Sequence, residues 1–185
     1  RRQRQMCIRD RVKHTLASSE YNVRRAQCEA GVAVVLRHVG GVESLRDVTA
    51  DMLDTYKGEM DEVVYRRCRY VVDENQRLLD ACAALEKGDY VTFGQKMNGS
   101  HEGLSRQYEV SCDELDFLAD IGHRTDGVLG ARMMGGGFGG CTINLVRAEA
   151  YDGYLAEATD RFAHRFGHAP RVIEVNISQG ARRIG

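Results

Sequence analysis

One proline, no tryptophan and no long apolar run set the first limits on this 185-residue chain. With Pro170 as the sole proline, nothing before it is obliged to break or kink a helix, so long helices are open to the chain. No stretch approaches the ~20 apolar residues of a membrane-spanning helix, and no signal-peptide pattern is visible. An excess of charge is lacking too. The 26 Lys and Arg against 27 Asp and Glu leave a net −1, which gives no global reason to invoke nucleic acid or an anionic membrane. The six cysteines form no C-x-x-C pair. Cys28, Cys68 and Cys82 fall on apolar helical stripes, which reads as reduced, buried thiols in a cytoplasmic protein. Hydrophobic residues at 43% suffice for a core, and the length suits one domain, with two small ones possible.

What the chain has in abundance is glycine in one place, Gly135-Gly136-Gly137-Phe138-Gly139-Gly140. Glycine reaches positive φ without a Cβ clash and lets another group approach the backbone, but ordering so many is entropically costly. Such a loop is either a hairpin tip or a place where bare amides are wanted, and amides in a row suit phosphate. Gly135, Gly137 and Gly140 also fit the dinucleotide pattern G-x-G-x-x-G, which requires a helix directly afterwards. Here Thr142-Ile143-Asn144-Leu145-Val146 follows, alternating and β-branched, so a strand is expected and the dinucleotide reading is set aside.

In chain order, residues 1–11 carry five arginines with no helical or strand periodicity and read as a non-native basic end. The chain does not begin with Met and reads as cut from a longer gene. A helix is predicted from Ser18-Ser19 towards Gly40-Gly41, with Val23, Ala26, Ala30 and Val34 inside. Thr49 is placed to cap a short helix. A long helix over 60–87 repeats Val64, Val71, Leu78 and Leu85 every seven residues, with Cys68, Asn75 and Cys82 between them, and Gly88 ends it. Asp89 caps the next helix, whose inner face is marked by Phe93, Met97, Leu104 and Tyr108. Ser111-Cys112-Asp113-Glu114 has capping-box spacing. Two strands flank the glycine loop, a helix covers 150–166, and Ile173, Val175 and Ile177 alternate as a strand. Helices first, then β-loop-β-α-β, make the chain α+β: an antiparallel sheet with helices packed on it.

Among candidate site residues, His164 and His168 have i,i+4 spacing, but Gly167 falls between them and a surface pair is the better reading. Cys141 lacks a His partner nearby in sequence and reads as a small core residue. His14, His38, His101 and His123 show no ligand spacing. Arg24 and Arg25 read as surface arginines. Tyr21, in the polar run Ser18-Ser19-Glu20-Tyr21-Asn22-Val23-Arg24-Arg25, is either a phenol that hydrogen-bonds a ligand hydroxyl or a partly buried packing residue.

Three stretches resemble galactokinases, members of the superfamily of galacto-, homoserine, mevalonate and phosphomevalonate kinases. They are residues 12–29, with the run around Tyr21; residues 130–142, with the glycine loop; and Ser100-His101 with residues 108–116. The resemblance covers 12–185 and implies the C-terminal sugar-kinase domain, ferredoxin-like with a long-helix subdomain. It implies ATP- and magnesium-dependent phosphorylation of galactose at its anomeric hydroxyl, in the cytoplasm. Carried over, Tyr21 matches the tyrosine that contacts the sugar. Gly135, Gly136, Gly137, Phe138, Gly139 and Gly140 match the motif that supports the phosphate-binding loop. No catalytic or metal-binding residue carries over, because the Ser-rich ATP loop and catalytic aspartate belong to a missing N-terminal half. The partners implied are thus galactose, ATP and that half, and the chain alone is expected to be inactive. The alternatives on the same scaffold are an N-acetylgalactosamine kinase and a non-catalytic galactose/ATP sensor. Met134 stands where the family has Thr, Asp113 where it has Pro, and residues 1–11 where it has an apolar strand.

Overall fold

The computed structural model describes residues 3–10 and 17–175, with 17–19 as backbone only. Expectations for Val12, His14, Ile177 and the Ser18 and Ser19 side chains lie outside the described residues. The elements are β1 (Gln3–Arg9), α1 (Ala17–Leu36), α2 (Ala50–Tyr56), α3 (Glu62–Glu86), α4 (Tyr90–Arg106), α5 (Asp113–Arg124), β2 (Val128–Met134), β3 (Cys141–Arg147), α6 (Tyr151–Phe166) and β4 (Arg171–Val175). The strands form one antiparallel sheet in the order β2-β3-β1-β4. The α+β class is therefore as the sequence predicts.

Residues 3–9 form a strand although the basic stretch shows no strand periodicity. The basic stretch contributes β1, an inner strand paired on one side with β3 and on the other with β4. Its apolar content is short but central, since Met6, Cys7 and Ile8 are all buried. Of its arginines, Arg4 pairs with Glu174 and lies 4.0 Å over the Tyr151 ring, and Arg9 is exposed. Long cationic side chains can cover apolar surface while the charged head stays near water, which hides such a strand from a search for alternation.

Two cores result. Met6, Ile8 and Val146 meet Leu118 and Ile121 of α5 and Tyr154, Ala158 and Phe162 of α6. Val35, Leu53 and Cys68 join α1, α2 and α3 in a helical unit. Thr49 and Asp89 cap α2 and α4 as expected, accepting from the Met52 and Thr92 amides. The capping box at Ser111 does not form: Cys112 precedes α5 and makes no side-chain cap bond.

The buried stripes differ from the apolar ones. On α1 the inward face holds Arg24, Gly31 and Val35, with Cys28 half-buried, while Val23 is 44% exposed. On α3 the seam holds as far as Asn75, whose amide donates to the Leu45 carbonyl (3.3 Å). Beyond it Leu78, Leu85 and Cys82 are exposed. The cause at α1 is a close crossing: a Cβ on Gly31 would fall 2.2 Å from the Cys68 sulfur, so glycine sets the contact.

Candidate functional site

The glycine loop is a connection between β2 and β3 that folds back on its own chain. Gly135, Gly137, Gly139 and Gly140 hold φ of 92°, 86°, 116° and 117°, and Phe138 itself lies at 59°. Gly137 is the tightest point. A Cβ there would stand 2.0 Å from the Val110 carbonyl oxygen, the acceptor for the Phe138 amide at 2.6 Å. Gly136 has no positive φ and open space around it. At the far end the Gly140 amide donates to the buried Asp10 carboxylate (2.6 Å), and the Asp10 amide returns a bond to the Gly140 carbonyl (2.9 Å). Two of the six amides are thus spent inside the fold.

Beneath it Met133, Val110 and Leu115 form a small core with Phe138 packed against it. Arg24 ties this assembly to α1. Its guanidinium donates to the Tyr108 carbonyl (2.9 Å) and the Glu109 carbonyl (2.7 Å), pairs with Glu20 (2.9 Å), and lies 5.7 Å from the Phe138 ring centroid. At 6% exposure Arg24 is not the surface arginine its neighbourhood suggests, whereas Arg25 is, paired with Glu29 at 2.8 Å. The signal for Arg24 in the sequence is faint: it lies four residues before Cys28 and seven before Gly31, on the crossing face. Glu109, at φ 56°, receives Arg66 and Arg67, both at 2.9 Å. The Arg67 guanidinium first, then Arg66, holds its carboxyl below the usual carboxylate range.

Tyr21 is 60% exposed, one turn before Arg24, which favours availability over packing. It stands at the end of an open groove of about 520 Å³ that also takes in Cys28, Val32, Leu45, Val71 and Tyr108. Cys28 lies 3.7 Å from the Tyr108 hydroxyl. A hydrogen bond from the Cys68 thiol, helped by Tyr108, brings its pKa down to about 7. Cys68 is correspondingly pushed up.

On the other side, α4 runs along the free edge of β2. Gly94 abuts the Leu129 carbonyl, where a Cβ would come within 2.0 Å. Asn98 accepts from the Ala131 amide (2.8 Å), and His101 Nδ1 accepts from the Met133 amide (3.1 Å). Residues 94, 98 and 101 share one helix face and meet alternate strand residues 129, 131 and 133, so the helix takes the place of a neighbouring strand. His123 donates from Nε2 to the Ala131 carbonyl (2.8 Å). His101 and His123, without ligand spacing in sequence, are thus brought together at 5.9 Å between ring centroids. His164 and His168 are both exposed, with Gly167 in the left-handed region between them. Cys141 is half-buried at the start of β3.

The GHMP kinases C terminal family matches residues 81–160. The chain is 38% identical over 94% of its length to a galactokinase of Clostridium beijerinckii, of which it covers 44%. It is 50% identical to a Bos taurus galactokinase over 75% of its length and 34% of that protein. It superposes over its whole length on 47% of a Lactococcus lactis galactokinase solved in complex with galactose, at TM-score 0.92 and 29% identity. The chain spans about half the length of the curated relatives it matches. In sequence over 94% of its residues and in fold, the chain is similar to the C-terminal part of galactokinases, and its residues 81–160 match the C-terminal family of the GHMP kinases.

Proposed function

We propose that this chain works as the C-terminal part of a cytoplasmic galactokinase, residues 12–185 with β1 forming one domain of it. The protein would transfer the γ-phosphate of ATP to the anomeric hydroxyl of galactose. Supporting this are the galactokinase relatives and the match to a galactose-bound galactokinase. The single observation that carries the site is Arg24, which holds the start of α1, with exposed Tyr21, against the segment that seats Phe138 of the glycine loop. The sugar contact and the loop are thereby parts of one rigid assembly.

In this reading Tyr21 binds a galactose hydroxyl. The loop at 135–140 supports the ATP-binding loop of the other half instead of gripping phosphate itself, in keeping with the inward bonds of the Phe138 and Gly140 amides. Among the described residues no three His, Cys, Asp or Glu side chains converge as a metal site. In this reading magnesium and the aspartate base belong to the other half, where phosphoryl transfer draws most of its catalysis from positioning and charge. Among the described residues no helix is long and apolar enough to cross a membrane.

The test is galactose-dependent ADP release by the full-length protein, with Tyr21→Phe beside it. The variant keeps the ring and deletes one hydrogen bond, a loss of roughly 0.5–1.5 kcal/mol. Galactose affinity is expected to fall while ATP affinity holds. Unchanged galactose affinity would remove Tyr21 from the sugar site.

A further inference from the structure

The edge of the sheet next to the glycine loop is unusual in being closed by side chains. Among the described residues β2 pairs with β3 alone, so the amides of Ala131 and Met133 and the carbonyl of Ala131 face away from the sheet. Unpaired edge groups of this kind need partners when buried. Asn98 Oδ1, His101 Nδ1 and His123 Nε2 supply all three. His101 is 5% exposed, and its tautomer follows from its partners. The Met133 amide can only donate, so Nδ1 is bare and the proton sits on Nε2, which lies 3.2 Å from Asp116 Oδ1. Asp116 is in turn held by the Ser105 hydroxyl at 2.8 Å. Ser105 and His101 come from α4, and Asp116 and His123 from α5, so two helices fix one strand edge. Met133, the last fixed residue, belongs to the small core under Phe138 and lies two positions before Gly135.

We infer that Asn98 and His101 are positioning residues that set the exit of β2 and with it the glycine loop for phosphoryl transfer. The catalytic consequence rests on the galactokinase reading above; the mechanical one does not. The loop leaves β2 through Met134, and with Gly135 at the next position its path is set by where Met133 is held. A shift of the strand edge would move Gly136, the loop position whose surroundings are open, away from whatever it meets. Asn98 and His101 line a different cavity from Tyr21, so the sugar contact should be spared.

The test uses the full-length protein and paired substitutions. His101→Leu removes the acceptor at similar size, and His101→Asn restores one near the place of Nδ1. Asn98→Leu and Asn98→Asp form the corresponding pair. In the leucine variants kcat is expected to fall about 10- to 100-fold with the galactose KM within about twofold, and the acceptor-restoring variants should recover most of it. Hydrogen exchange of the 131–141 backbone should quicken about tenfold or more in His101→Leu and return towards wild type in His101→Asn. A purely structural role would lower the urea midpoint and leave kcat of the folded protein and loop exchange alone. Wild-type turnover with an unchanged kcat in folded His101→Leu overturns the positioning role. If the wild type itself does not phosphorylate galactose, the galactokinase reading fails instead, and loop exchange still decides whether His101 holds the loop: unchanged exchange overturns it.

Discussion

Replacing Gly137 by alanine adds a single methyl group at the point where the glycine loop meets the rest of the fold. Two costs follow from the geometry. The residue sits at φ 86°, a left-handed conformation that costs a side chain about 1–2 kcal/mol. The new Cβ would stand 2.0 Å from the Val110 oxygen, so that carbonyl must retreat from the Phe138 amide it accepts at 2.6 Å. Leaving that donor unmet costs about 1–3 kcal/mol. Together they amount to about 2–5 kcal/mol, a large share of the 5–15 kcal/mol typical of a domain. With a urea slope of about 1–3 kcal/mol per molar, the midpoint should fall by roughly 1 M or more. Gly136→Ala is the internal control, because it meets open space at an ordinary φ and should stay within about 0.5 kcal/mol of wild type. Urea unfolding followed by far-UV circular dichroism compares the two. Coincident midpoints would refute the reasoning that Gly137 is held by Val110. In the full-length protein Gly136 then reports function alone. If Gly136→Val keeps full turnover, the loop is a hairpin tip and nothing approaches it.

Three further outcomes are expected. Cys28, its thiol pKa brought to about 7 by Cys68, should react with iodoacetamide with half-maximal rate near that pH, while Cys7 and Cys112, raised to about 12 by burial, stay unmodified; peptide mass mapping across pH 6–8 checks this. Glu109 has a folded pKa below the ordinary 4.5, so its contribution is present above the unfolded value and lost as pH falls through the folded one; urea midpoints taken from neutral to strongly acid pH should fall less steeply in Glu109→Gln than in wild type. Gly94→Ala, which in an exposed helix would stabilise by about 1 kcal/mol, should instead destabilise, because its Cβ would meet the Leu129 carbonyl at 2.0 Å; a raised thermal midpoint would contradict the α4–β2 contact.

The parts of the fold that were legible in the sequence are those built from apolar periodicity and punctuation. Thr49, Asp89, Gly88 and Gly167 mark helix ends where the structure has them, and β2, β3 and α6 lie where alternation and helical spacing put them. What escaped were the contacts between elements made by Arg24, Gly31, Gly94, Asn98 and His101, residues that hydrophobicity does not count. The face of α1 is written in Arg24 and Gly31, and that of α4 in Gly94, Asn98 and His101. These faces serve close backbone approach and hydrogen bonding, so an apolar tally picks Val23 instead, which is exposed. The same blindness hid the site's organisation. Tyr21 and the glycine loop could be singled out from residue type, but the arginine that joins them reads locally as one more charge on a polar helix. Its partners are backbone carbonyls 84 and 85 residues away, which no local pattern encodes.

The strand that sequence periodicity missed gives the strongest claim about folding. β1 lies between β3 and β4, so removing it strips the ladder from one edge of β3 and leaves β4 with no strand partner among the described residues. It also takes out Met6 and Ile8, both fully buried against α5 and α6. At about 1.5–3 kcal/mol for each buried side chain, these two alone stabilise the fold by about 3–6 kcal/mol, before the hydrogen bonds of two strand pairs are counted. Asp10 leaves with them, and the Gly140 amide loses its acceptor at the end of the glycine loop. A chain that begins at residue 12 should therefore show no cooperative thermal transition, or one far below that of the 185-residue chain, in calorimetry and in near-UV circular dichroism. The helical unit around Val35, Leu53 and Cys68 has a core of its own and should keep part of its far-UV signal. If the shortened chain melts cooperatively at the same temperature, β1 is dispensable, and its place between β3 and β4 carries none of the stability assigned to it.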